Sequence, residues 1–260
     1  FLVAAPDYIG YGASKNQPHP YQHAPSLATA GADMLRAAKE WALQHKIRLN
    51  GQLFLTGYSE GGFATMALHQ KLETEMAGEF TVTASAPGAG AYHTSAFAKH
   101  VLSSDKPLSF INTYLWVLDT YNREYKLNKP FSYYLNEPYA TQFRNGNRNI
   151  SNAVIPKKLF RDSFRKAVQT GTDKGFMNAL RDNDIYDWKP NAPVALFHGT
   201  NDDYVPFFNS KDAYHAMRAR GATNVKLYPI KGGDHFSSVP QYSAGLILFF
   251  TNFIKSANDR

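Results

Sequence analysis

Cysteine is absent from the 260 residues of the sequence. This absence excludes a disulfide scaffold, a cysteine nucleophile and thiolate metal sites, although it does not assign a compartment, because exported proteins need no disulfides. Long hydrophobic runs are lacking as well: the longest, at residues 245–250, is far shorter than the roughly 20 residues that span a bilayer. The sequence therefore predicts no transmembrane segment, and we interpret residues 245–250 as part of a buried helix.

Charged residues are also few, at 19% of the chain against 43% hydrophobic residues, as in soluble globular proteins. The net charge of +7 could indicate an acidic partner, but the basic residues are scattered. The one local cluster is at helical spacing, as on a solvated helix face: Lys157, Lys158, Arg161, Arg165 and Lys166. We therefore expect no nucleic-acid partner.

The N-terminus opens on an apolar run of strand length at residues 1–5, which is followed by Pro6 and Asp7. It has no initial methionine and no basic region, and the run is too short for a signal peptide. We interpret it as a strand of a larger sheet, and therefore expect the chain to be a fragment with its first strands missing.

Strand and helix patterns alternate in the two outer thirds of the chain. Predicted strands lie at residues 53–56, 80–86, 193–198 and, more peripheral, 225–230. Predicted helices lie at 27–45, with Ser26 as the N-cap, at 63–76 and at 241–256. This order predicts an α/β core of residues 1–90 and 192–260, with a mostly parallel sheet and helices on both faces.

The middle of the chain, residues 91–191, is rich in aromatic residues and has no clear strand pattern. Because a plain loop of this length is uncommon, we predict a helical insertion that forms a cap over the carboxyl edge of the sheet. The aromatic residues are interpreted first as the core of the insertion itself and second as an acyl-binding surface.

The motif that indicates chemistry is Gly57-Tyr58-Ser59-Glu60-Gly61. It follows a short apolar strand and precedes an amphipathic helix, so Ser59 is predicted at a sharp strand-to-helix turn, with glycines two positions on either side to permit it. There the helix N-terminus and the backbone N–H of Glu60 would face a developing oxyanion. The alternative is an ordinary glycine-rich turn with a solvated serine.

A serine nucleophile needs a base and an acid. His235 lies in a loop directly after the strand at 225–230, whereas His198 ends a strand and is interpreted as a buried structural residue. Asp202 and Asp203 follow the strand at 193–198 and compete for the role of the acid. Ser, Asp and His would then follow one another in the chain order of α/β-hydrolases.

Four segments carry a family resemblance: residues 5–14 (Ala-Pro-Asp-Tyr-Ile-Gly-Tyr-Gly-Ala-Ser), the turn at 57–62, residues 198–206 and residues 232–235. Together they resemble the α/β-hydrolase superfamily, and more narrowly its secretory lipases and prolyl-oligopeptidase-related esterases. In these groups the acid stands in H-G-x-x-D-x-x-V-P, which selects Asp202. The resemblance also implies that residues 1–5 are the fourth of eight strands, with the second oxyanion donor upstream of Phe1.

These features predict a serine hydrolase that cleaves carboxylic esters through an acyl-enzyme formed on Ser59. A serine peptidase, an acyltransferase and a non-catalytic binding module on the same fold are the alternatives. No cofactor is expected, and a metal site at Asp202, Asp203, Asp234 and His235 is disfavoured because the spacing is wrong. The expected partner is a small ester or lipid; the oligomeric state is left open, and a secreted or periplasmic location is the expectation.

Overall fold

Residues 1–255 are described by a computed structural model of the chain. They divide into two units, one formed by residues 1–92 and 185 onwards, the other by residues 93–184. The predicted core also included residues 256–260, and the predicted last helix included Ser256; these positions lie outside the described residues. No helix within residues 1–255 has both the length and the hydrophobicity needed to cross a membrane.

The first part of the first unit alternates helices and strands. Its elements are a 3₁₀ turn (Gly12–Ser14), α1 (Ala24–Gln44), β1 (Phe54–Tyr58), α2 (Glu60–Thr74) and β2 (Ala84–Gly88). The predicted N-cap is wrong, because α1 begins two residues before Ser26 and the Ser26 hydroxyl bonds the ring of His23 instead. Pro25 is accepted there because the first helical turn needs no N–H from it.

The predicted strand at residues 1–5 is not formed. The Phe1 ring packs edge-on against Phe54 of β1, with the ring centroids 5.6 Å apart. The side chains of Phe1 and Val3 are nevertheless 80% and 83% exposed. An apolar run becomes a strand only when its backbone joins a hydrogen-bonded ladder, and within residues 1–255 β1 pairs with β2 alone.

The second unit consists of helices and one isolated antiparallel bridge, between Leu135 and Phe160. The helices are α3 (Thr94–Ser103), α4 (Ile111–Glu124), α5 (Phe131–Tyr134), α6 (Tyr139–Arg144), α7 (Pro156–Leu159), α8 (Asp162–Thr170) and α9 (Lys174–Asp182). Its core contains six buried aromatic residues: Tyr121, Tyr134, Phe143, Phe160, Phe164 and Phe176. The aromatic residues therefore build the interior of this unit, as the first interpretation expected.

The first unit continues with β3 (Val194–Gly199), α10 (Phe208–Ala219), β4 (Val225–Ile230) and α11 (Val239–Thr251). All neighbouring strands are parallel, in the order β1-β2-β3-β4, and β4 lies at the edge as predicted. Ala84 and Ala86 of β2 pack with α11, whereas Ser85 faces the ring of His69 on α2. Helices therefore cover both faces of a parallel sheet, which confirms the predicted fold class.

Helix α11 is less buried than the sequence predicted. Phe249 and Phe250 pack into the core, but Ile247 and Leu248 are 57% and 69% exposed. Since a helix turns by 100° per residue, a continuous apolar run of six residues covers both the buried and the outer face.

Candidate active site

Ser59 stands at the junction between β1 and α2. Its backbone has φ of +59° and ψ of −120°, a conformation that costs an ordinary residue energy and is typical of functional turns. The turn is closed by hydrogen bonds from Ser59 N to Gly88 O and from Phe63 N to Ser59 O, at 2.9 and 3.0 Å. The strained corner lifts the Ser59 side chain beyond the carboxyl end of β1.

The glycine requirement of this turn differs in part from the prediction. A Cβ at Gly57 would lie 2.3 Å from Gly61 O, and one at Gly62 would lie 2.1 Å from Gly88 O, so neither position has room for a side chain. A Cβ at Gly61 would meet no atom within 4 Å. The positions that need glycine are therefore Gly57 and Gly62, because helix α2 approaches its own strand and β2 closely there.

Three loops at the carboxyl edge of the sheet bring the predicted residues together. Ser59 follows β1, Asp202 follows β3 and His235 follows β4. His235 Nε2 lies 2.9 Å from Ser59 Oγ, and His235 Nδ1 lies 2.7 Å from Asp202 Oδ2. A carboxylate only accepts hydrogen bonds, so Nδ1 carries the proton and Nε2 presents its lone pair to the serine hydroxyl. In this tautomer the imidazole can accept the hydroxyl proton.

Asp202 is held firmly and stays ionised. Its side chain is fully buried, and its Oδ1 accepts from the backbone N–H groups of Tyr204 and Val205 at 3.0 and 2.8 Å. Burial alone would raise the pKa of Asp202, but hydrogen bonds from His198 and His235 outweigh it and lower the pKa below its ordinary value. Asp203, the other candidate acid, has an exposed side chain, and it is Asp202 that contacts His235.

His198 is a member of this site that the sequence interpretation missed. Its Nε2 lies 2.7 Å from Val205 O and 3.3 Å from Asp202 Oδ2, and its Nδ1 lies 2.7 Å from Ser210 Oγ. Because a carbonyl only accepts, Nε2 carries the proton and also faces the Asp202 carboxylate. His198 is buried as expected, but it touches the acid. The sequence offered one indication of this contact, which is that His198 and Asp202 are only four positions apart.

Two tyrosines fix the loops around the site. Tyr58, next to Ser59, donates its hydroxyl to His235 O at 2.7 Å, and its ring centroid lies 5.3 Å from that of His235. Tyr242 of α11 places its hydroxyl oxygen 3.1 Å from Gly57 N and 2.9 Å from Gly57 O. Neither residue was singled out in the sequence, because each contact joins positions about 180 residues apart.

Glu60 is the first residue of α2. Backbone N–H groups in the first turn of a helix have no intrahelical acceptor, and the helix dipole there favours negative charge. The Glu60 N–H therefore lies at the helix N-terminus, directly after Ser59.

The structure does not arrange the four residues considered as metal ligands into a metal centre. They are Asp202, Asp203, Asp234 and His235. Asp234 is exposed, and its carboxylate accepts from the backbone N–H groups of Phe236 and Ser237 in its own turn. Across residues 1–255, no three histidine or acidic side chains are arranged to ligate a metal ion.

The sequence profile of the secretory lipase family matches residues 1–250. The chain belongs to this family. The family supports hydrolysis of carboxylic esters, which agrees with the predicted reaction class. No curated protein matches the chain.

Solved structures of similar fold include two bacterial proteins. One, from Legionella pneumophila and named as a candidate hydrolase, is 27% identical with a TM-score of 0.85, and the match covers 98% of this chain and 70% of that one. The rice cell wall degrading esterase LipA from Xanthomonas oryzae is 25% identical with a TM-score of 0.80, and the match covers 94% and 69% of the two chains. Both likenesses extend over both units of this chain.

Candida antarctica lipase A in its closed state is more distant. It is 15% identical with a TM-score of 0.69, and the match covers 90% of this chain and 55% of that one. At this identity the likeness shows the α/β-hydrolase fold alone.

Proposed function

We propose that this secretory lipase family member hydrolyses carboxylic esters by a two-step acyl transfer on Ser59. The observation that carries the proposal is the unbroken relay from Ser59 Oγ through His235 to the buried Asp202 carboxylate, with contacts of 2.9 and 2.7 Å. Each contact is within the range in which a base can take the proton of its nucleophile.

In the first step, Ser59 Oγ attacks the ester carbonyl carbon while its proton passes to His235 Nε2. The carbonyl oxygen becomes an oxyanion that accepts from the Glu60 N–H, and the ionised Asp202 stabilises the positive imidazole. His235 then gives its proton to the leaving alcohol, and the acyl group stays on Ser59. In the second step, a water molecule loses its proton to His235 and attacks the acyl carbon. The bond between the acyl carbon and Ser59 Oγ then breaks, the acid leaves, and His235 returns the proton to Ser59 Oγ.

The substrate class follows from the family rather than from the relay. A serine relay can act on esters or on amides, so the alternatives of a peptidase or an acyltransferase differ in the leaving group or the acceptor. Membership in the secretory lipase family favours an ester or lipid. We expect hydrolysis of p-nitrophenyl esters and no measurable cleavage of peptide p-nitroanilides; the reverse preference would make the chain a peptidase.

The chain contains a matched control for Ser59. Ser85 Oγ lies 2.9 Å from His69 Nδ1, and His69 Nε2 lies 2.9 Å from Glu73 Oε1, so these residues repeat the same chemical sequence. Ser85 and His69 are completely buried, however, and no substrate reaches them. A fluorophosphonate probe should therefore add one label, at Ser59, as measured by intact mass.

Ser59→Ala should abolish the label and lower ester hydrolysis by several powers of ten, because the nucleophile is lost. Ser85→Ala should keep the label at Ser59, and its circular dichroism spectrum should show that it is folded. A loss of less than about tenfold in Ser59→Ala would rule out Ser59 as the nucleophile.

The family also supports secretion, and we propose an exported protein that acts on small esters or lipids. The absence of a nucleic-acid partner remains a prediction from the sequence, as does the seating of residues 91–191 as a cap.

A further inference from the structure

The early loop of the chain places a buried histidine against Glu60, the residue that follows Ser59. His19 Nε2 lies 2.7 Å from Glu60 Oε1, and the two side chains are 3% and 21% exposed. The backbone N–H of Gln22 lies 3.4 Å from the same oxygen. Since the Glu60 N–H is the proposed oxyanion donor, His19 pairs with the side chain of the residue that carries this donor.

The loop is closed around the His19 ring. Its Nδ1 lies 2.7 Å from Ile9 O, and the ring centroids of Tyr11 and Tyr8 lie 4.9 and 6.0 Å away. Gly10 has φ of +95°, and a Cβ there would lie 2.7 Å from His19 Cα. A side chain at Gly10 would push the loop away, so the backbone is built to keep this ring in place.

The two short contacts fix the number of protons in the pair. Ile9 O can only accept, so Nδ1 must carry a proton. His19 Nε2 lies 2.7 Å from Glu60 Oε1. Without a proton between these two atoms, a nitrogen lone pair would face a carboxylate oxygen and repel it, so the pair needs one further proton. The proton gives either an imidazolium beside a carboxylate or an imidazole beside a carboxylic acid. In both cases the pair has no net charge.

We propose that His19 is a positioning residue for the oxyanion donor, an inference that rests on the proposed function. By holding this proton, His19 keeps the Glu60 side chain from placing an uncompensated negative charge beside the oxyanion. An unpaired carboxylate on the residue that donates to the oxyanion would repel it and raise the barrier. Tyr8 does not alter this balance: burial is the main reason that its pKa is raised to about 12, so its hydroxyl stays neutral.

A double-mutant cycle tests the proposal on the whole chain. His19→Gln keeps a donor for Glu60 but cannot hold the extra proton, so kcat for a p-nitrophenyl ester should fall by about 10- to 100-fold, with KM within about twofold. In the Glu60→Gln background, which has no charge to compensate, the same His19→Gln change should lower kcat by less than about threefold. His19→Ala, which removes the ring altogether, should follow the same pattern.

His23→Gln is the matched control, because this neighbouring histidine bonds Ser26 at the start of α1. Its kcat should stay within about twofold of the unmutated chain. Equal losses from His19→Gln in both backgrounds would mean that His19 acts only through packing, and would overturn the proposal. A loss smaller than about twofold in the original background would overturn it as well.

The proton itself can be observed without any turnover. Nuclear magnetic resonance of nitrogen-labelled histidine and carboxyl-labelled glutamate at pH 7 should show either a doubly protonated His19 or a protonated Glu60. A neutral His19 beside an ionised Glu60 would refute the pairing even if the chain hydrolyses esters. An intact pair in a chain that neither hydrolyses esters nor labels at Ser59 would instead refute the proposed function, and with it the role assigned to His19.

Discussion

Replacing Asp202 with asparagine should reverse the tautomer of His235. Oδ1 accepts from the N–H groups of Tyr204 and Val205, so the asparagine carbonyl must take that position and its NH₂ must take the place of Oδ2. The NH₂ would then point at His235 Nδ1, which lies 2.7 Å from Oδ2. His235 Nδ1 can accept a hydrogen bond from this NH₂ only if it carries no proton. The ring proton then lies on His235 Nε2, which faces Ser59.

The cost of this reversal is large because a protonated Nε2 cannot act as a base. In serine hydrolases with this relay, the same change lowers kcat by about 10⁴, or about 5.5 kcal/mol of barrier. We expect a loss of this order in Asp202→Asn, with KM little changed, from initial rates on a p-nitrophenyl ester. The fold should persist, because a planar side chain of almost equal volume fills the same buried space.

Asp203→Asn is the matched control for this experiment. The Asp203 side chain is exposed, and Asp202 makes the contact to His235. The kcat of Asp203→Asn should therefore stay within about twofold of the unmutated chain. A folded Asp202→Asn variant that keeps more than a tenth of the activity would refute the relay. Equal losses from the two substitutions would refute the choice of acid.

Three further outcomes follow from the geometry. Tyr242→Phe should lower the free energy of unfolding in urea by about 1–3 kcal/mol, because it leaves Gly57 N without its hydroxyl partner, and an unchanged midpoint would contradict this. The pKa of Asp202 is lower in the folded state, so its stabilising contribution is present above the unfolded pKa of about 4 and is lost as the pH falls through the folded pKa. Urea midpoints should accordingly fall on acidification, and less steeply in Asp202→Asn. Gly62→Ala should destabilise the fold by at least about 1–3 kcal/mol while Gly61→Ala should not, as thermal unfolding will show.

The parts of the site that could be predicted from the sequence are those encoded locally. A short apolar strand followed by a glycine-flanked serine and a helix specifies the turn at Ser59. His235 and Asp202 each follow a strand whose pattern is visible, and parallel strands bring their carboxyl ends to one edge. Local patterns therefore sufficed to predict the fold class, Ser59 and His235, whereas the choice of Asp202 over Asp203 came from the family resemblance.

The residues that the sequence did not reveal are joined by long-range contacts. Tyr58 reaches the carbonyl of His235, and His19 reaches Glu60 across 41 positions. No pattern in either segment specifies such a partner, because it depends on how side chains meet after the sheet has formed. The strand predicted at residues 1–5 failed for a related reason: hydrophobicity is local, whereas ladder formation needs a neighbouring strand.

Two serine–histidine–carboxylate relays lie in one unit, and they differ in their surroundings. Ser85 lies within β2, and its partner Glu73 is committed to the backbone N–H groups of Asn191 and Ala192, so this relay ties α2 to the sheet. Ser59 differs in its surroundings: it is half-buried at a strained corner, and a helix N-terminus begins at the next residue. Because a hydroxyl reacts only where a carbonyl can approach and its oxyanion can be stabilised, the turn at Ser59 is what converts a common hydrogen-bonding pattern into a candidate active site.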